Sequence, residues 1–296
     1  MVGILWMLTT MLCFITLDTI IKYALETYSL VQVTWGRFFF ATIFAALICA
    51  KDLWRYAQSA SPGIQLIRSL LLMTTTGLFN AGVSKLPLAT ATTIMFLSPI
   101  LVTVLSIAIL GEQVGLRRWI GIGLGFIGAV IVVQPWHSVS TTFTAGALFL
   151  LAAAFSNACY QIATRHVRHD DPLTSLLFTA AAGAIVTSAL LPSHWSSPDA
   201  WGWVLFVLSG LAGCIGHLCL IRAFRAAPAS VVAPFSYSSL LWATLFGFAI
   251  WNEIPDFYTT LGAAFIVTAG LYIFLRERQL AARRRAELDS VETGTA

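Results

Sequence analysis

The sequence predicts an all-α polytopic membrane protein, with ten transmembrane helices arranged as two inverted five-helix repeats. Three observations predict it: an extreme composition, a one-sided distribution of Lys and Arg, and a helix ending that is written twice. Of the 296 residues, 58% are hydrophobic and only 10% are charged. A soluble domain is about 45–50% apolar and about 25% charged. So little polar surface excludes a soluble globule and makes the bilayer the solvent.

A helix crosses about 30 Å of hydrocarbon with about 20 mostly apolar residues. Such stretches fall at 3–21, 31–50, 64–83, 88–110 and 119–133, and then at 146–164, 173–191, 201–221, 231–250 and 257–275. Short loops join them. Each must be helical, because unpaired backbone groups are too costly in lipid, and no barrel-like alternation of polar and apolar residues occurs. The first stretch has no basic leader and carries Asp18 and Lys22 at its end. It is therefore a retained span rather than a signal peptide. Cys13, Cys49, Cys159, Cys214 and Cys219 all fall within spans. They form neither a disulfide framework nor a metal-site spacing, and read as small packing residues.

With the N-terminus cytoplasmic, fourteen of the 17 Lys and Arg fall on that side, in loops and in the tail 276–296. Lys22 and Lys85 face the other side, and Arg37 lies within the second span. The split predicts an inner (plasma) membrane protein with both termini cytoplasmic. The basic excess is thus a topology signal. A nucleic-acid partner is not expected, since basic and aromatic residues do not cluster on a soluble surface.

The repeated ending is AILGEQ at 108–113 and AIWNEI at 249–254. At the same spacing of 141, Pro87 matches Pro228 and Gly121 matches Gly262; at 143, Phe14 falls on Asn157 and Asp18 on Gln161. The chain therefore reads as a duplicated unit, 3–135 and 144–275. Five spans is an odd number, so the two copies insert in opposite orientations. That is a recurring build of secondary transporters, with the substrate near the midplane between the halves.

The stretch PLATATTIMFLSPILVTVLSIAILGEQVGLRRWIGIGLGFIGAVIV resembles the signature end of an EamA unit of the drug/metabolite transporter superfamily. The second copy, APASVVAPFSYSSLLWATLFGFAIWNEIPDFYTTLGAAFIVTAGLYI, resembles it more closely. The copies have diverged, since Pro99 falls on Leu240 and Pro234 on Thr93. The resemblance points to bacterial exporters of amino acids, the aromatic amino acid branch included. It implies export of small amphipathic metabolites, amino acids above all, by alternating access. It also implies a small-molecule substrate and a lipid surround; the residues suggest no cofactor and no metal, and leave the oligomeric state, a monomer included, open.

Polar side chains inside spans are costly and usually face a bundle interior or a water-filled path. Phe14 and Asp18 share a face of the first span, and Asn157 and Gln161 share the equivalent face of the sixth, with Tyr160 beside them. Thr76 and Asn80 form the same four-residue stripe in the third span, and Thr76 matches His217 at the spacing of 141. Trp35, Phe96, Ser98, Tyr237 and Trp242 complete the candidate substrate-binding set. Plainer readings stand beside these. Asn157 and Gln161 also suit hydrogen bonds between helices, His217 also suits core packing, and the aromatics also suit interfacial belts. Asp18 and Arg37 are expected to pair and to gate the non-cytoplasmic side.

Gly121, Gly125 and Gly128 are read as allowing close helix approach, and Glu112 and Glu253 as helix caps. RHVRHDD, 165–171, is read as a solvated turn, and the tail from Arg283 as mobile. Several basic residues at midplane would suit phosphorylated solutes, and a carboxylate central in the first span would suit drug cations; neither is present. No HExxH, GxSxG or paired intramembrane aspartates supports an intramembrane enzyme. A scaffold would not need an inverted duplication.

Overall fold

The computed structural model describes residues 1–110, 116–134, 140–167, 169–227 and 229–294. Among them the secondary structure is helical throughout. The helices are α1 Val2–Ala24, α2 Leu30–Ile48, α3 Leu53–Tyr56, α4 Pro62–Val83, α5 Leu88–Met95, α6 Leu97–Leu110 and α7 Leu116–Val133. Then come α8 Thr141–His166, α9 Pro172–Leu190, α10 Ala200–Ala226, α11 Ala229–Val232, α12 Ser238–Trp251 and α13 Phe257–Gly294. Seven segments, within α1, α2, α4, α5 with α6, α8, α9 and α10, are long and apolar enough to cross a membrane. Two shorter apolar helices, Trp119–Val133 and Phe257–Tyr272, accompany them. The chain is therefore an all-helical polytopic membrane protein. Glu112, Pro228 and Arg168 lie outside the described residues.

The solvent that shaped these helices is legible in their faces. On α4, Gln65, Arg68, Ser69, Thr75, Thr76 and Asn80 are buried while Leu66, Ile67 and Leu70 are exposed. In water the pattern would be reversed. In lipid the apolar side turns outward and polar groups find partners within the bundle. Small residues bring helices together where polar ones do not. Gly128 and Gly262 place the backbones of α7 and α13 in direct contact, and Gly125 leaves room for Ile100.

The fourth predicted span is broken between α5 and α6, at Phe96. Pro99, three residues on, has no N–H to donate to the carbonyl of residue 95, so the helix cannot run through unaltered. The ninth is broken in the same region by a 3-10 turn, Ala233–Tyr237, that contains Pro234. The tail from Arg283, expected to be mobile, instead continues α13 to Gly294, as its Ala, Leu, Arg and Glu content favours.

α1 packs on α10, α4 on α8, and α7 on α13. α2 lies against α9 and α10, α9 against α4, and α12 against α1 and α5, while α5 and α6 lie against α8. Loops assigned to one membrane side bond to loops of that side. At the arginine-rich end, Asp170 accepts hydrogen bonds from Ser59, the Ala60 N–H and Gln65, and Asp171 caps α9 through the Leu173 N–H. Burial alone would raise the Asp170 carboxyl, but these bonds outweigh it and hold it below the usual carboxylate range. Within RHVRHDD, Asp170 and Asp171 are thus docked, while Arg165, His166 and His169 are exposed as a solvated turn would have them. At the opposite end Tyr28 donates to Asp199, Ser29 to the His194 carbonyl, and Gln32 to the Ser196 carbonyl.

Candidate functional site

One face of α8 carries Asn157, Tyr160, Gln161 and Thr164, at the three- and four-residue spacing that aligns side chains on a helix. Ser98, just past the break between α5 and α6, accepts from Asn157 Nδ2 at 3.0 Å and Gln161 Nε2 at 3.1 Å. The two amides are partly accessible and Ser98 is buried. These bonds tie α8 to α6, and the amides keep part of their surface accessible.

Asp18 of α1, Arg37 of α2 and His217 of α10 are enclosed by protein yet keep part of their surface accessible. Asp18 and Arg37 lie within electrostatic reach of each other, and His217 within reach of both Arg37 and Arg68. The expected Asp18–Arg37 ion pair is not formed. An ion pair does form between Lys22 and Glu253. Phe14 meets the His217 ring edge-to-face at 5.1 Å, and its ring fills the space that a side chain at Gly216 would need.

The remaining candidates fall in different places. Phe96 and Tyr237, at the two span breaks, meet each other with ring centroids 4.9 Å apart. Trp242 packs against the cluster around Ile15 and Phe79, and its indole N–H has no hydrogen-bond partner. Thr76 and Asn80 are fully packed; Asn80 donates to Thr34 of α2 at 2.9 Å. Trp35 stands apart from the interior charges. Its N–H is taken by Ser188, and its ring stacks on Phe39 and meets Trp195, Trp203 and Phe206.

Arg68 was counted above only as a loop charge, but it is 6% exposed. Its Nε donates to Thr164, and Nη1 serves Gln65 Oε1, the Ser175 carbonyl and Thr179. Nη2 donates to Tyr160 Oη at 2.8 Å, and the guanidinium lies 4.8 Å from the Tyr160 ring centroid. The three- and four-residue spacing of Gln65, Arg68, Ser69, Thr76 and Asn80 was the signal that could have found it.

The other missed feature lies at the end opposite the arginines. Lys22 Nζ lies 2.5 and 2.7 Å from the two Glu253 carboxylate oxygens and 3.3 Å from the Leu86 carbonyl. Glu253 also accepts the Leu88 N–H at 3.1 Å, where α5 begins. Its carboxylate thus caps a helix as expected, but α5 rather than its own, a favourable position for a negative charge. Asn252 makes this possible. Its left-handed φ of 55° ends α12, and the following Glu253 N–H returns to the Gly247 carbonyl. Asn tolerates that conformation better than most residues.

Comparison with known proteins identifies the family. The model of the EamA-like transporter family matches residues 1–134 and 144–275. An S-adenosylmethionine uptake transporter of Rickettsia prowazekii is 28% identical over 94% of this chain and 94% of its own length. A riboflavin transporter of Vibrio cholerae is 27% identical over 96% of each chain, and a pseudopaline exporter of Pseudomonas aeruginosa is 24% identical over 90% and 94%. A solved crystal structure superposes with a TM-score of 0.62 at 20% identity, over 94% of this chain and 98% of that one, and shows a shared fold. The chain belongs to the EamA-like transporter family, whose members carry solutes rather than catalyse reactions.

Proposed function

We propose that the chain carries a small amphipathic solute bearing an amino-acid group across the inner membrane, by alternating access between the halves 3–135 and 144–275. One observation carries this reading: Asp18 and Arg37, partly accessible on neighbouring helices, lie within electrostatic reach of each other and of His217's surroundings, yet make no direct bond. Charges held unbonded inside a bundle are costly unless water or a ligand meets them. A solute with an ammonium group is complementary to Asp18. Ser98, Asn157 and Gln161 supply neutral hydrogen bonds, and Phe14, Phe96, Tyr237 and Trp242 supply an apolar wall. S-adenosylmethionine, named for the Rickettsia relative, contains an amino-acid group; transport of it or of free amino acids by this chain is part of the proposal.

Helix packing supports two inverted halves. Taking α5 with α6 as one broken span, and α11 with α12 as another, gives five spans on each side of the 134–144 linker. Exchanging each span for the one five later maps α1 on α10 onto α8 on α4, and leaves α2 on α9 and α7 on α13 unchanged. Phe96 and Tyr237 are 141 residues apart, the repeat spacing, and they touch. A residue contacts its own repeat mate only beside the axis relating the halves. The arginine-rich end is read as cytoplasmic, with both termini there.

Relatives named for uptake and for export match along almost their whole length, so one interior serves either direction and exchange is the property to measure. Proteoliposomes preloaded with unlabelled solute should accumulate labelled L-methionine, L-phenylalanine or S-adenosylmethionine. Asn157→Ala and Gln161→Ala should each lower that rate at least tenfold, with folded protein still in the membrane. Exchange of none of the three by the parent protein would sink the reading. Undiminished exchange in both variants would return the amides to helix packing.

A further inference from the structure

Five N–H groups radiate from Arg68, and the structure accounts for four. Nε serves Thr164, the two on Nη1 are shared among Gln65, Ser175 and Thr179, and one on Nη2 goes to Tyr160 Oη. The second Nη2 hydrogen has no acceptor in this network. Tyr160 is in the same position. Its oxygen accepts from Arg68, so its own O–H must point elsewhere, and the phenol is partly accessible. Two donors therefore stand side by side, 2.8 Å apart between their heavy atoms. One of them belongs to a cation that cannot lose its charge.

No hydrogen-bond partner of Arg68 is a carboxylate. The acid in its network, Asp170, is reached only through Gln65 and is already engaged by Ser59, the Ala60 N–H and Gln65. Arg37 differs, because Asp18 lies within electrostatic reach of it. Arg68 is also no remote surface charge, since it is 6% exposed and lies within electrostatic reach of His217. A buried cation without an acid partner is normally completed by a bound anion or pays a large desolvation cost. Planar guanidinium groups suit carboxylates best.

We propose that Arg68 and Tyr160 form a carboxylate subsite, at the arginine-rich end of the polar face of α8, that holds the carboxylate of the transported solute. Asp18 then faces the ammonium group, and neutral Ser98, Asn157 and Gln161 line the space between. The inference rests on the functional reading above and names the chemical group that makes a solute acceptable.

The test uses the reconstituted full chain and counterflow of labelled L-methionine or L-phenylalanine. The competitors are unlabelled L-methionine and L-phenylalanine against L-methioninamide and L-phenylalaninamide. The amides keep the ammonium group and side chain and lose only the carboxylate charge. The parent protein should favour the acids over the amides at least tenfold. Arg68→Gln should reduce that preference to within about twofold. Arg68→Lys, a point charge without the fork, should fall between.

Tyr160→Phe removes one donor while keeping the ring on Arg68, so it tests the subsite even if Arg68→Gln does not fold; it should cost several-fold in preference. A purely structural Arg68 would lower the rates for acids and amides together and leave their ratio unchanged, which would overturn the subsite. Equal competition by acids and amides in the parent protein would also overturn it while leaving the transport reading intact. Failure of the parent to exchange L-methionine, L-phenylalanine and S-adenosylmethionine alike would overturn both.

Discussion

Glu253→Gln is expected to destabilise the chain more than any other single polar substitution at the helix ends. Lys22 is 8% exposed, and the carboxylate it holds at 2.5 and 2.7 Å also receives the Leu88 N–H. Removing the negative charge strands the lysine against the Leu86 carbonyl and the Trp251 ring, 4.6 Å from its Nζ. Breaking one side of a poorly solvated pair typically costs about 3–5 kcal/mol. Losing the second charge as well should restore part of it, because nothing is then left unpaired. Lys22→Met combined with Glu253→Gln should therefore unfold at a higher temperature in detergent than Glu253→Gln alone. Strict additivity of the two single losses would show that the pair contributes no mutual stabilisation.

The second large effect is expected at Gly262. A Cβ there would lie 2.3 Å from Val132 Cγ2 and 2.6 Å from the Gly128 carbonyl oxygen, and a backbone oxygen cannot swing aside as a side chain can. Gly262→Ala should force α7 and α13 apart at their closest approach, at a cost of about 1–3 kcal/mol, and Gly262→Val should prevent accumulation of folded protein. Gly123→Ala on α7 is the matched control. Nothing lies within 4 Å of its Cβ position, and alanine is the better helix former. Monodisperse yield after gel filtration should fall in the order Gly123→Ala, Gly262→Ala, Gly262→Val. Equal yields would mean that the α7–α13 contact is looser than the structure places it.

What was legible in the sequence follows from how far each cause reaches along the chain. Membrane-crossing segments are local, since bilayer thickness acts on about 20 consecutive residues at a time. The contact between Phe96 and Tyr237 was not a local signal, yet the repeat spacing of 141 already linked the two positions. Lys22 and Glu253 lie 231 residues apart and carry no shared pattern, so a neighbouring acid and base, Asp18 and Arg37, drew the expectation of an ion pair instead. Arg68 was misplaced for a different reason. It stands near the start of a span, where an arginine normally reaches water, and only the polar face it shares with Gln65 and Ser69 betrays its burial. Trp35 shows the limit of residue type, because an indole in a packed aromatic cluster and one lining a cavity look alike in sequence.

Alternating access requires that contacts at each end of the bundle part in turn, and Lys22–Glu253 is the ion-paired contact at the end opposite the arginines. The direct measurement is counterflow by a chain lacking its five native cysteines and carrying Lys22→Cys and Glu253→Cys, before and after reaction with a short bis-methanethiosulfonate that spans the two lost side chains. The cross-linked protein should stop exchanging solute and a reductant should restore the rate, while the same treatment of either single variant should change nothing. Full-rate exchange with the cross-link demonstrably formed would contradict that requirement.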